Sequence, residues 1–374
     1  MSERRPMNFD DIAESRIEFD RSFFQSLPKT DLHVHLDGSM RIPTILDLAE
    51  KGGIDLGVST EDGLAERIGV GKRHESLDAY LMGFKITLKV LQTTEGLYRA
   101  AYELAEDAHT ENIQYMEVRF SPVLHTERRL APTTILESVL AGLRDAERDF
   151  GIRSGVIVCG IRNMSPNVSL RLAELAVAFK NRGVVGFDLA GSEYNYPAKD
   201  HLDAFNLILS NNVNVTIHAG EAYGPESIHQ ALHYCGAHRL GHGTRLREDG
   251  DLLNYVNDHR IPMEICVSSN TQTGAVESLE SHPFKFYLDL GLRVTVNTDN
   301  RLITNTTVTD ELYLVAKQFD LRPREILDIT MNGIKSSFIP YEFKKDFIKR
   351  IKQTVKQQMV DFTLKTGSKV DIVD

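Results

Sequence analysis

The chain has 374 residues, 41% apolar and 26% charged, which fits a soluble globular fold with a large core and excludes a disordered chain. Its formal net charge is −10 and its lysines and arginines form no concentrated stripe, which argues against a nucleic-acid partner. Three cysteines without a CxxC spacing, an N-terminus without an apolar signal region and the lack of any run of roughly 18 apolar residues argue against a disulfide framework and a membrane partner, and for a cytoplasmic location.

Residues 1–26 read as an N-terminal extension. The first strand follows at 31–38, "DLHVHLDG", where His33 and His35 sit two apart and therefore on one face. The connection from there to the next strand is long, about residues 39–112, and must hold extra helices. Within it, Leu77, Leu81, Phe84 and Leu88 recur at helical spacing, as in an ordinary packed helix. Further strands are expected at 113–120, 154–161, 184–191, 214–221, 239–243, 262–269 and 293–299, with amphipathic helices between them such as 133–150 and 169–183. Additional helices follow the last strand, and 367–374 reads as a flexible tail.

Short apolar strands, each followed by a helical stretch, spell an α/β fold of the (β/α)8 TIM-barrel type, with 1–374 as a single domain. A doubly wound open sheet is the alternative, and repetition without a linker favours closure. Barrel enzymes carry their chemistry where strands meet the following loops. Here those ends are occupied by His33, His35 and Asp37, then Asp188 and Gly191, then His218, Gly220 and Glu221, then His242, then "CVSSN", and finally Asp299 and Asn300. Polar side chains at one end of nearly every strand are costly in a barrel core unless paired or ligated, so they argue for one shared site.

Each motif alone has a plainer reading: HxH as two ordinary polar residues, His218 as a satisfied core histidine, "NTDN" as a turn. Jointly, three imidazoles (His33, His35, His218) and the Asp299 carboxylate make a ligand set suited to Zn²⁺, with iron or cobalt possible on donor type. Glu221, three residues after His218, can face the same mouth without ligating. His242 can orient a metal-bound water or take its proton. His229, His233, His238 and His259 fall in helical or connecting stretches and read as solvated. His282, in "SHPF", is unassigned, with Ser281 a possible helix cap.

These motifs, "TDLHVHLDGS", "EVRFSP", "GFDLAGSE", "HAGE", "RLGHGTR", "SSN" and "VNTDN", occur in an order and spacing that resemble the adenosine deaminases of the amidohydrolase superfamily, from about Leu27 to about Phe338. The resemblance implies one zinc ion held by His33, His35, His218 and Asp299. The fourth strand lacks the lysine of binuclear relatives. It implies Glu221 as proton donor to the purine ring nitrogen and His242 as holder of the attacking hydroxide, with Asp299 helping to take the proton. Around the substrate it places His35, Asp37 on a sugar hydroxyl, the Gly191 backbone on the purine and Asn300 near N7, and it suggests that the helical stretch around Leu77–Leu88 covers the pocket and excludes water. The implied reaction is hydrolytic deamination of adenosine and 2′-deoxyadenosine, by zinc-hydroxide attack on purine C6. Many family members carry a second aspartate where this chain has Asn300. The amide is a permanent donor, but the change leaves open another 6-aminopurine, such as adenine or 6-aminodeoxyfutalosine. A catalytically silent barrel is the reading from another class. The partner implied is a small molecule, and the sequence is silent on oligomeric state.

Overall fold

The computed structural model describes residues 6–368 and Val370. Eight strands form a sheet in sequential order, every neighbouring pair parallel. They are β1 (Lys29–His35), β2 (Ile113–Phe120), β3 (Arg153–Ile161), β4 (Val184–Ala190), β5 (Asn214–Ala219), β6 (Arg239–His242), β7 (Met263–Ile265) and β8 (Val294–Val296). The ring closes just beyond β8. Val34 bridges to Asp299, whose amide donates to the His33 carbonyl at 2.8 Å and whose carbonyl accepts from the His35 amide at 2.7 Å. The first and last strand-end motifs are thereby stitched together directly. Strands of a parallel barrel are covered on both faces, which is why these read as apolar runs and not as alternating patterns.

Helices separate the strands as the sequence leads one to expect. Pro132–Phe150 starts with proline in its first turn and ends at Gly151 in a left-handed cap. The long first connection holds five helices, of which three begin under the side-chain caps of Thr60, Ser76 and Thr93. The stretch around Leu77–Leu88 is not one continuous helix. Leu77–Leu81 and Phe84–Val90 are separated at Met82–Gly83, where i→i+3 backbone bonds replace the α-helical ladder. A Cβ on Gly83 would come within 3.1 Å of the Ile68 carbonyl, so the break falls where the chain lies tight against the preceding helix.

The chain ends add two observations. The N-terminal extension is packed: Phe9, Ile12, Phe23 and Phe24 are buried in the main core, and Phe19 and Phe23 meet Phe362 of the last helix (Tyr341–Thr366). The buried Lys29 ammonium donates to the carbonyls of Phe24 and Leu27, closing off the end of helix Arg21–Ser26. The expected tail at 367–374 lies outside the described residues apart from Gly367, Ser368 and Val370. A further difference bears on the site. β7 ends at Ile265, and "VSSN" starts a short helix, Val267–Gln272, in which the Asn270 amide bonds the Cys266 carbonyl at 2.8 Å.

Candidate active site

The β1 period carries His33 and His35 to the same end of the barrel. His218 arrives from β5 and Asp299 from the turn after β8. One donor atom from each of the four lies within 4.8 Å of all the others. His33 Nε2 is buried and makes no hydrogen bond. The Nε2 atoms of His35 and His218 are 3.2 Å apart, and Asp299 Oδ1 is 3.4 Å from Nε2 of both His33 and His35. Two of the rings are oriented by carboxylates. His33 Nδ1 lies 2.8 Å from Glu264 Oε2, and His218 Nδ1 lies 3.0 Å from Asp188 Oδ2. An ionised carboxylate only accepts, so each of these two rings carries a proton on Nδ1, and its neutral form turns a bare Nε2 to the centre. Three converging imidazoles, two buried and His35 half-buried, with a carboxylate beside them, fit a divalent ion.

The carboxylates that set those tautomers are themselves anchored. Arg119 on β2, fully buried, donates to Asp188 Oδ2 at 2.9 Å and to Glu264 Oε2 at 2.7 Å. Glu264 Oε1 also accepts from Arg239 Nε at 2.5 Å and from the Thr216 hydroxyl at 2.7 Å. Burial disfavours ionisation of both acids. His218 and Arg119 outweigh it at Asp188, Arg119 and Arg239 at Glu264, and both carboxyls are held well below the usual range. Asp299 Oδ2 accepts from Ser269 at 2.6 Å, which leaves Oδ1 for the centre.

His242 and Glu221 face the cluster from β6 and from the turn after β5, with His242 Nε2 3.5 Å from Glu221 Oε2. The "HAGE" turn is held by Glu193, whose carboxylate accepts from the backbone amides of Gly220, Glu221, Ala222 and Tyr223 at 2.6–3.0 Å. Burial, then the Asp299 and Glu193 charges, push the Glu221 carboxyl well above the usual range. His242 and Asp299 both have left-handed backbone, at φ +63° and +61°, a conformation that costs energy and is tolerated where a side chain must be aimed. Gly241 is required by proximity. A Cβ there would stand 3.1 Å from His218 Cα and from His33 Cε1.

Above the cluster opens a cavity of about 410 Å³, lined by His35, Asp37, Gly191, His218, Glu221, His242, Asp299 and Asn300, and roofed by the first connection. Leu77, Leu81, Phe84 and Leu88, read from sequence as a packed helix face, are half-buried and turn toward this cavity. Asp37 Oδ1 and Asn300 Oδ1 are buried without a partner. Burial raises the Asp37 carboxyl to about 7.

Every residue singled out from the sequence therefore lies in one place. His229, His233, His238 and His259 are exposed. Ser281 is not a cap: Pro283 precedes helix Phe284–Asp289, and the Phe284 amide donates to His282 Nδ1 at 3.0 Å. The sequence reading missed Arg119, Glu264, Glu193, Ser269 and Asn270. Arg119, Glu193, Ser269 and Asn270 stood in quoted motifs without a role, and nothing local announces that one carboxylate will gather four amides from another loop.

The family model for adenosine deaminase matches residues 28–354, past Phe338 and into the last helix. The chain belongs to the adenosine deaminase family. This is a family of hydrolases. The adenosine deaminase of Mycobacterium ulcerans is 42% identical over 341 residues, covering 87% of this chain and 94% of that protein. Among solved structures, the adenine deaminase of Arthrobacter aurescens superposes with a TM-score of 0.83 at 26% identity, covering 88% of this chain and 100% of that one. The N6-mAMP deaminase of Arabidopsis does so with a TM-score of 0.80 at 26% identity, covering 89% and 99%. Family membership leaves three substrate types represented among these relatives.

Proposed function

We propose that the protein is a zinc-dependent deaminase of adenosine and 2′-deoxyadenosine, releasing ammonia and the inosine product. The observation that carries this reading is the pairing of a four-donor cation site (His33, His35, His218, Asp299) with a buried acid in the same cavity, Glu221, whose carboxyl burial pushes well above the usual range. Three imidazoles and a carboxylate suit zinc. A bound zinc ion supplies the Lewis acidity that makes water a nucleophile at neutral pH.

The chain's own residues account for the rest. Water attacks purine C6 and the ring electron pair moves onto N1, which takes the proton of Glu221. Asp299 takes the water proton, and His242 holds the attacking oxygen. The proton on Asp299 then passes to the amine, the C6–N bond breaks and ammonia leaves; the C6 hydroxyl gives its proton back to Glu221 as the C6 carbonyl forms, and N1 keeps the proton it took. A neutral carboxylic acid is needed for the first transfer, and burial beside the Asp299 and Glu193 charges favours that form of Glu221. Asp37 Oδ1, an acceptor without a partner, suits a sugar hydroxyl; the Asn300 amide offers a donor to N7, and the Gly191 backbone flanks the ring.

Among the residues lining the cavity, Lys85 is the single lysine or arginine, which favours a nucleoside over its monophosphate. The free base would leave Asp37 unserved. Three buried, free cysteines accord with a reducing, cytoplasmic setting, and the buried cluster that joins both chain ends to the barrel accords with one domain. No helix among the described residues is long and apolar enough to cross a membrane. The reading is tested by following ultraviolet absorbance with adenosine, 2′-deoxyadenosine, adenine, AMP and 6-aminodeoxyfutalosine. The two nucleosides should show the highest kcat/KM; preference for another purine would replace the substrate, and inactivity on all would refute the function.

A further inference from the structure

His242 belongs to a chain of hydrogen bonds whose direction can be worked out from one end. The backbone amide of Phe284 can only donate, and it lies 3.0 Å from His282 Nδ1. That nitrogen is therefore the acceptor. His282 is buried in the core, and burial lowers its pKa to about 3, so the ring is neutral and carries its single proton on Nε2. Nε2 faces Asn270 Oδ1 at 3.3 Å. With its oxygen accepting there, the Asn270 amide presents its NH2 to His242, and Nδ2 lies 3.0 Å from His242 Nδ1. An NH2 group only donates.

We propose that Asn270 and His282 are positioning residues that fix His242 in the tautomer with its proton on Nε2, so that His242 gives a hydrogen bond to the attacking oxygen and takes no proton from it. The inference rests on the deaminase reading for its consequence, but the tautomer itself stands on the geometry. It decides between the two roles open to His242, orienting water or deprotonating it.

The rest of the site supplies the contrast. His33 and His218 have carboxylates at Nδ1 (Glu264 and Asp188) and so turn bare nitrogens toward the cation site. His242 has an amide donor at the same ring position and turns an N–H the same way. Ring centroids of His33 and His242 are only 4.8 Å apart, so opposite tautomers at neighbouring rings keep the fourth imidazole from competing as a ligand. A fixed donor aimed at developing negative charge on oxygen is useful in the transition state, and a fixed tautomer costs no reorganisation.

The direct test is nitrogen-detected NMR of the zinc-loaded full chain labelled with ¹⁵N-histidine, the His242 signals assigned by their loss in His242→Gln. The expected spectrum has a protonated Nε2 and a bare Nδ1 at His242; the reverse overturns the proposal. Asn270→Asp, nearly isosteric, places an acceptor at Nδ1 and should invert the His242 tautomer in the same spectrum. In that variant kcat should fall about 10- to 100-fold with KM and zinc content little changed. Unchanged kcat with an inverted tautomer would overturn the claimed role. His282→Gln, which keeps an N–H for Asn270, should retain more kcat than His282→Leu, and equal losses would count against the relay. Should the protein deaminate no nucleoside, the function fails while the wild-type spectrum still decides the tautomer.

Discussion

The floor and the roof of the cavity are built on opposite principles. The floor is ionisable, and almost every group on it is held by another: Arg119 clamps Asp188 and Glu264, these orient His218 and His33, and Glu193 gathers the turn that carries Glu221. The roof, Leu77, Leu81, Phe84 and Leu88, is apolar and comes from two short helices joined by a tight turn. Buried charges in a network leave no freedom to move without a large electrostatic cost, whereas aliphatic contacts are non-directional and can slide. The difference accords with the proposed reading, with chemistry on the floor and exclusion of water by the roof.

That assignment can be broken from the floor first. Glu221→Gln removes the proton but keeps the shape, and should lower kcat by two to four orders of magnitude with metal content unchanged. A near-normal rate would remove Glu221 from the reaction. Arg119→Met leaves two carboxylates buried without their shared cation, and should cost about 3–5 kcal/mol of stability, seen as a lowered denaturation midpoint together with weaker metal retention. A midpoint matching the wild type would mean the clamp is not structural.

The roof should respond more mildly and in a different parameter. Phe84→Ala opens the cavity near His35, whose ring centroid is 6.4 Å away, and should reduce kcat/KM about tenfold with metal content intact. Loss of metal in that variant would show that the two layers are not separable. A pH-dependent effect on stability, not on turnover, is expected at Asp37, between them. Its folded pKa is raised by burial from 3.8 to about 7, so the folded state holds the proton more tightly than the unfolded chain. The resulting penalty on stability is absent below about pH 4, grows as pH rises, and is complete above the folded value. Asp37→Asn should thus match wild type in thermal midpoint near pH 4 and exceed it slightly at pH 8; parallel curves would contradict the assignment.

What could be read in the sequence divides along the same line. HxH on β1 is legible because strands alternate with a period of two, and "HAGE", "GHG" and "NTDN" each mark the end of an apolar run. The partners that give these residues their protonation states are not legible. Glu264 reaches His33 across 231 positions and Arg119 reaches Glu264 across 145, set by barrel register, which no local pattern encodes. Asn270 hid in a segment that looked like the end of a strand, because "CVSS" is apolar and β-branched at its start, whereas a helix begins at Val267. The roof was visible as a helical stripe, but an apolar face looks the same whether it meets a core or a cavity, and only the family resemblance suggested that it covers the pocket.

The central claim is that one ion, held by His33, His35, His218 and Asp299, makes the protein active. The most direct measurement is to strip the purified protein with a chelator and titrate zinc back while recording adenosine turnover. Activity should be lost on stripping and should return in proportion to added zinc, levelling off at one ion per chain. Full turnover by the stripped protein, or a plateau reached only at two ions, would contradict the account.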